Sequence, residues 1–265
     1  MAKFEPPFPF EGSFGGMSFY QNRFGVWVAR KKGGPTKEQV KNSPTCKGIR
    51  NQNAEFQACG QANRSLFLAI DGVKHLNDFV LAGAFTKIVK AIQCLQPDHL
   101  KGQRNIIFSS NRHFIDGFQL NRKNPFDSVL SNPVIATIVR SESMAVVQLP
   151  AVMPGINFRN PWPYSFFRFI VCVGAIQDIL YQDDTKRYTI FLDRPHHGVN
   201  YIRTDWMPAE SKNPGRNIEV RLQETVNLAD TSTMIVSVGI EFGTNKFNGV
   251  QPVKHAGCAK FVAVG

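Results

Sequence analysis

Cysteine is scarce in this 265-residue chain. Cys46, Cys59, Cys94, Cys172 and Cys258 are odd in number and widely spaced, with no Cys-x-x-Cys pair. That argues against a disulfide framework and reads as buried, reduced thiols. Long apolar runs are also missing. Nothing approaches the ~18–20 residues of a membrane span, and the nearest run, 166–176, is interrupted by Arg168. The first residues lack the continuous apolar stretch of a secretory signal, and Pro6, Pro7 and Pro9 would break one. A soluble, cytoplasmic protein with no membrane partner is therefore expected, with release by lysis or a signal-less route left open. The chain holds no Gly-x-Ser-x-Gly, no His-Glu-x-x-His and no Gly-x-x-x-x-Gly-Lys-[Ser/Thr]. Gly33-Gly-Pro-Thr-Lys37 has the look of a phosphate loop, but Pro35 removes an N–H where a cradle needs donors. Asn63-Arg-Ser65 is a glycosylation sequon without a secretory route. No enzyme, cofactor or bound metal is expected.

Phenylalanine, by contrast, is abundant: 22 residues against 5 Tyr and 3 Trp. Phe brings apolar area without a polar handle, so it fills cores or contact surfaces. Phe4, Phe8, Phe10 and Phe14 sit in a segment, 1–14, too rich in Pro and Gly for a regular element. This arm docks either on its own domain or on a neighbouring subunit. Hydrophobic content of 43% and charged content of 19% are those of a folded protein. The charge is unevenly placed: residues 1–125 carry 18 Lys+Arg against 8 Asp+Glu, and residues 126–265 carry 13 against 12. Two modules are expected, the first of them attracted to something acidic.

The apolar periodicity locates the elements. Residues 17–20 and 24–30 read as a hairpin about Gln21-Asn22-Arg23. Thr36-x-x-Gln39 after Pro35 is a capping box that starts a short helix ending near Asn42. Residues 51–62 are polar and helical only in their second part. The longest helical pattern spans 64–96, with a break expected near 76–84. Residues 104–109 and 113–120 read as strands, or a strand and a turn, and Asn121-Arg-Lys-Asn-Pro125 as a linker. Eight β-like runs follow, at 134–140, 144–149, 166–177, 187–192, 199–203, 218–223, 233–242 and 260–264. The fold class expected is α+β: a basic hairpin-and-helix module over 15–122, then an antiparallel β-sandwich over 126–265.

Several short pieces run in one order along the chain: Gly15-Gly-Met-Ser-Phe-Tyr20, Arg30-Lys-Lys-Gly-Gly-Pro-Thr-Lys37, Arg50-Asn-Gln-Asn-Ala-Glu-Phe56, Lys101-Gly-Gln-Arg-Asn105, Gly117-Phe-Gln-Leu-Asn121, Val238-Gly-Ile-Glu-Phe242 and Asn248-Gly-Val-Gln-Pro252. On these the chain resembles a conserved family of Bacteroidota proteins of uncharacterised activity. The resemblance implies a bacterial cytoplasmic protein and a non-enzymatic role, and it carries over no catalytic residue.

Other constellations are weaker. His196-His197, between Asp193 and Asp205, lacks a third metal ligand at a fixed spacing and reads as loop polarity. His255-x-x-Cys258 is half a metal site without a second pair, and Asp183-Asp184 has the composition of a hairpin turn. The strongest candidate is a basic cluster: Arg23, Arg30, Lys31, Lys32, Lys37, Lys41, Lys47, Arg50 and Arg64, interleaved with Phe19, Tyr20, Phe24 and Trp27. Three readings fit it: a nucleic-acid surface, a contact with an acidic surface on another subunit, or a solvated face. The expected function is a structural subunit that self-assembles into an oligomer, filament, tube or phage-like particle, with nucleic-acid binding as the alternative.

Overall fold

Two glycines and one threonine organise the N-terminal region. The computed structural model describes residues 2–3, 10–22, 25–189, 199–223, 228 and 230–265. The chain divides into two compact units, Met1–Arg50 and Asn51–Gly265. In the first, β1 (Ala2–Lys3), β2 (Gly12–Phe14), β3 (Met17–Gln21) and β4 (Trp27–Lys31) form an antiparallel sheet of order β1-β4-β3-β2. The β3–β4 hairpin is the expected one, with Met17 opposite Lys31 and Gln21 opposite Trp27. The arm is not wholly irregular, however. Gly15 and Gly16, at φ 57° and 78°, close a two-residue turn that brings Gly12–Phe14 back onto β3 as an edge strand. Left-handed backbone at both turn positions costs glycine little, and a sequence reading that counts glycine as a breaker misses this.

Thr36 then caps α1 (Lys37–Asn42), as its spacing to Gln39 predicts. The Gln39 N–H donates to Thr36 Oγ1 at 3.2 Å, and the Thr36 N–H donates to Gln39 Oε1 at 2.7 Å. Pro44 follows the helix, and the Arg50 guanidinium donates to the carbonyls of Val40 (2.9 Å) and Ser43 (2.8 Å) at its C-terminal end.

The long helices differ from expectation in position. α2 runs Lys47–Ala69, so the polar stretch 51–62 is helical throughout, and α3 runs Leu81–Gln93. The break falls at 70–80, with a single 3₁₀ turn at Lys74–Leu76. The Asn- and Gln-rich surface of α2 conceals a buried stripe of small residues, Ala58, Cys59, Ala62 and Ala69, with the larger Leu66 among them. α3 buries Leu81, Phe85, Val89 and Ile92. A four-residue helix, α4 (Phe126–Val129), precedes the strands.

The strands are β5 (Ile135–Val139), β6 (Met144–Leu149), β7 (Phe166–Gln177), β8 (Leu180–Gln182), β9 (Arg187–Thr189), β10 (Val199–Arg203), β11 (Met207–Pro208), β12 (Arg216–Arg221), β13 (Ser232–Lys246) and β14 (Gly249–Val264). They form a five-stranded sheet, β10-β7-β13-β14 with β11 on β7, a three-stranded sheet, β12-β6-β5, and the β8–β9 pair, all antiparallel. The fold is α+β with a β-rich C-terminal region. Residues 190–192, expected to extend β9, lie outside the described residues.

β7 and β13 explain why both read as nearly continuous apolar runs: each is buried on both faces. Phe167, Phe169, Val171 and Val173 of β7 join Met234, Val236, Val238, Ile240 and Phe242 of β13 in a core shared with β6 and β12. The alternate residues Ile170, Cys172, Ile176 and Ile235 face a second core built by α2 and α3. The second unit is therefore layered helices, five-stranded sheet, three-stranded sheet. The expected division near 122–126 runs through this unit, because the helices bury their apolar faces on the sheet of the sandwich and have no core of their own. Asn121, expected in a linker, is a buried staple instead. Its Nδ2 donates to Leu76 O (2.7 Å) and Gly257 O (3.1 Å), and its Oδ1 accepts from Ala259 N (3.0 Å). Residues 104–120 hold only isolated bridges, Ile106 to Ile179 and Gln119 to Lys260, around a 3₁₀ turn at Arg112–Phe114.

Candidate assembly surface

Directly paired residues in an antiparallel sheet share a face. One face of the N-terminal sheet thus carries Phe14, Met17, Phe19, Trp27 and Ala29, ending in Lys31. The other carries Ser13, Ser18, Tyr20, Val28 and Arg30, with the Ser13 and Ser18 hydroxyls 3.1 Å apart. Phe10 lays its ring 5.9 Å from that of Phe19, so this part of the arm docks on its own sheet. It does so incompletely: Phe10 is 44% and Phe14 78% exposed. Phe4 and Phe8, the other two arm candidates, lie outside the described residues.

The basic candidates separate into four groups. Arg30, Lys31, Lys32, Lys37, Lys41 and Lys47 are exposed, on the end of β4, on α1 and at the start of α2, and none has an ion-pair partner among the described residues. Arg50 is half-buried and committed to the carbonyls at the end of α1, so it is removed from the contact surface. Arg64 is exposed on the part of α2 that belongs to the second unit. Arg23, with Phe24, falls outside the described residues. β2 forms one edge of the sheet, and an edge strand presents a row of backbone donors and acceptors. The arrangement is a strand edge unpaired among the described residues, exposed aromatic surface and dense positive charge within one fifty-residue unit.

The weaker candidates resolve differently. His196 and His197 lie outside the described residues, and Asp205 is exposed. Asp183 and Asp184 are in the turn between β8 and β9, with Lys186 Nζ 3.7 Å from Asp183. Cys258 is fully buried, its thiol pushed up by that burial, while His255 is exposed at φ 59°. No cluster of three metal-ligating side chains occurs among the described residues. Cys46, Cys59, Cys172 and Cys258 are buried free thiols and Cys94 is an exposed one. No helix among the described residues is long and apolar enough to cross a membrane.

Sequence reasoning missed two buried ionic clusters. Glu55 on α2 accepts from Arg104 Nε (2.7 Å) and a second guanidinium nitrogen (2.8 Å), from Gly102 N (2.9 Å) and from Lys90 Nζ. Burial pulls its carboxyl upward, but those donors outweigh it and hold the group at about 2. Gln93 completes the network, accepting from Lys90 Nζ (2.9 Å) and donating to Arg104 O (3.1 Å). In the second cluster Glu241 on β13 accepts from Arg168 Nε (2.7 Å) and pairs with His75 Nε2 (2.8 Å). Burial again opposes its ionisation, and His75 and Arg168 overcome this to lower its pKa. Arg168 also stacks 4.2 Å above Trp206. Both carboxylates are saturated with donors, the signature of structural pairs. One signal was legible: a lone carboxylate inside the apolar run 233–242 demands a buried partner.

Searches against models of known protein families, curated protein sequences and solved structures return no significant match.

Proposed function

We propose that the protein is a non-enzymatic structural subunit that assembles with copies of itself in the cytoplasm, using its N-terminal unit as a joint. The observation that carries this reading is the edge strand Gly12–Phe14, which combines exposed aromatic surface with a backbone edge unpaired among the described residues. Strand addition at such an edge is a recurrent route to association. The exposed run Arg30, Lys31 and Lys32 supplies orientation and attraction towards an acidic surface. Deleting residues 1–14 is expected to abolish higher-order assembly while the far-UV circular dichroism of the β-rich unit persists. An unchanged sedimentation profile for the deletion sinks the proposal.

A second reading is favoured by one pairing. Tyr20 is exposed on the same sheet face as Arg30, one residue pair away, which is the composition of a base-stacking and phosphate-contacting surface. It predicts binding to single-stranded DNA or RNA that weakens steeply with salt and is lost on replacing Arg30, Lys31 and Lys32 by Gln. Absence of binding at low salt removes it.

A further inference from the structure

We propose that the tip of the β13–β14 hairpin is a knob that enters an aromatic cleft on a second copy of the chain. The inference rests on the self-assembly reading and adds to it a joint within the second unit, independent of the arm. Lys246 pairs with Gly249, so Phe247 and Asn248 form the turn. Phe242 and Ala256 are in the core, whereas residues 245–249 are all exposed, so the hairpin projects beyond the core. At its tip Phe247 is fully exposed. A Phe ring has no polar atom to offer water, so at the outermost point of the hairpin it gains by packing against other rings.

The same unit holds a cleft with aromatic walls and a polar rim. It measures about 440 Å³ and is lined by Pro154, Phe158, Trp162 and Tyr164, with Asn160 and Glu210 exposed at its margin. Its walls are fixed in advance. Buried Asn157 accepts from Met153 N (2.7 Å) and donates to Ala151 O (2.8 Å). Asn160 donates to Tyr164 O (2.8 Å) and accepts from Trp162 N (3.1 Å). Its floor continues into the core, with Phe158 4.6 Å from Phe167 and Trp162 4.9 Å from Phe242, ring to ring. A pre-organised cleft binds without the cost of ordering its walls.

Geometry and charge make the occupant another copy. Phe242 touches Trp162, and the five strand residues from Phe242 to Phe247 span ~17 Å, so the hairpin carries its own tip away from its own cleft. Two hairpins lying antiparallel about a two-fold axis place each tip at the other's base and fill both clefts together. Lys246 beside the knob and Glu210 beside the cleft have no ion-pair partner among the described residues, and the exchange brings their opposite charges together.

The test is sedimentation velocity and light scattering over a concentration series of the full chain. Phe247→Ser, at a fully exposed position, leaves the fold intact and is expected to weaken self-association by about 30-fold or more. Glu210→Lys weakens it as well, and adding Lys246→Glu to that variant restores it. The 1–14 deletion separates this joint from the N-terminal one. If Phe247→Ser dissociates the assembly and the deletion does not, the hairpin joint stands and the arm reading fails. If only the deletion dissociates it, or if Glu210→Lys with Lys246→Glu does not recover association, the hairpin joint is overturned. A wild-type chain that stays monomeric throughout overturns both.

Discussion

At the scale of the residue, charge in this protein does two different kinds of work. Glu55 and Glu241 are buried anions whose donors outweigh desolvation, whereas Lys31, Lys32, Lys37, Lys41 and Lys47 are solvated, with no ion-pair partner among the described residues. The first kind is structural and has a pH signature. The folded-state pKa of Glu55 is depressed from 4.5 to about 2. Its contribution to stability is therefore complete above about 4.5 and is lost as pH falls towards about 2. Glu55→Gln is expected to lose ~3–5 kcal/mol at neutral pH, because buried Arg104 is left with only the exposed Asp98, 3.6 Å away, as a counter-charge. It should also flatten the acid limb of the stability curve. Urea unfolding from pH 7 to pH 2.5 checks both, and an acid limb identical to wild type would refute the assignment.

At the scale of the element, glycine position decides how closely the helices meet the sheet. A Cβ on Gly174 of β7 would lie 2.2 Å from Ala69 O, at the end of α2. Gly239 of β13 stands likewise against Leu76, where a Cβ would come within 2.5 Å of Cδ1. Gly174→Ala must push the helix end off the sheet and is expected to cost ~1–3 kcal/mol or more. Gly60, exposed in the middle of α2 with nothing within 4 Å of its would-be Cβ, behaves oppositely. Gly60→Ala is expected to stabilise by ~0.5–1 kcal/mol through helix propensity. Thermal melts of the two variants should move in opposite directions. The elements themselves were partly legible. The Thr36–Gln39 spacing placed α1, and the ranges 144–149, 166–177 and 199–203 coincide with β6, β7 and β10. The start of α2 was not, because polar Asn and Gln on its outer surface mask a buried face of alanines that carries little hydrophobic signal.

At the scale of the whole molecule, positive charge is densest where the core is smallest. Residues 1–50 hold 9 Lys+Arg against 3 Asp+Glu, while the unit with the three-layer core carries 22 against 17. If the N-terminal joint is electrostatic, raising salt from ~0.05 to ~0.5 M should shift assembly towards smaller species, since screening shortens the Debye length to a few ångströms. The hairpin joint, resting on aromatic burial, should persist through the same range. Sedimentation at both salt concentrations distinguishes the contributions, and a salt-independent distribution would leave the basic strip without a role in assembly.

What the sequence determined by itself is local. Turn glycines, a capping box, alternating or continuous apolar runs and the unequal charge of its halves follow from residue type and spacing, which act over a few positions. What only the tertiary structure decided is which surfaces are spent and which remain free. Arg50 reads like any other member of the basic cluster until its guanidinium is found on the carbonyls that end α1. Asn121 reads as linker until it is found bonded to backbone from residues 76, 257 and 259. Phe247 reads as one of 22 phenylalanines until the β13–β14 register puts it at a tip. The reason is common to all three: a side chain's role depends on what packs against it, and those partners lie up to 138 positions away along the chain.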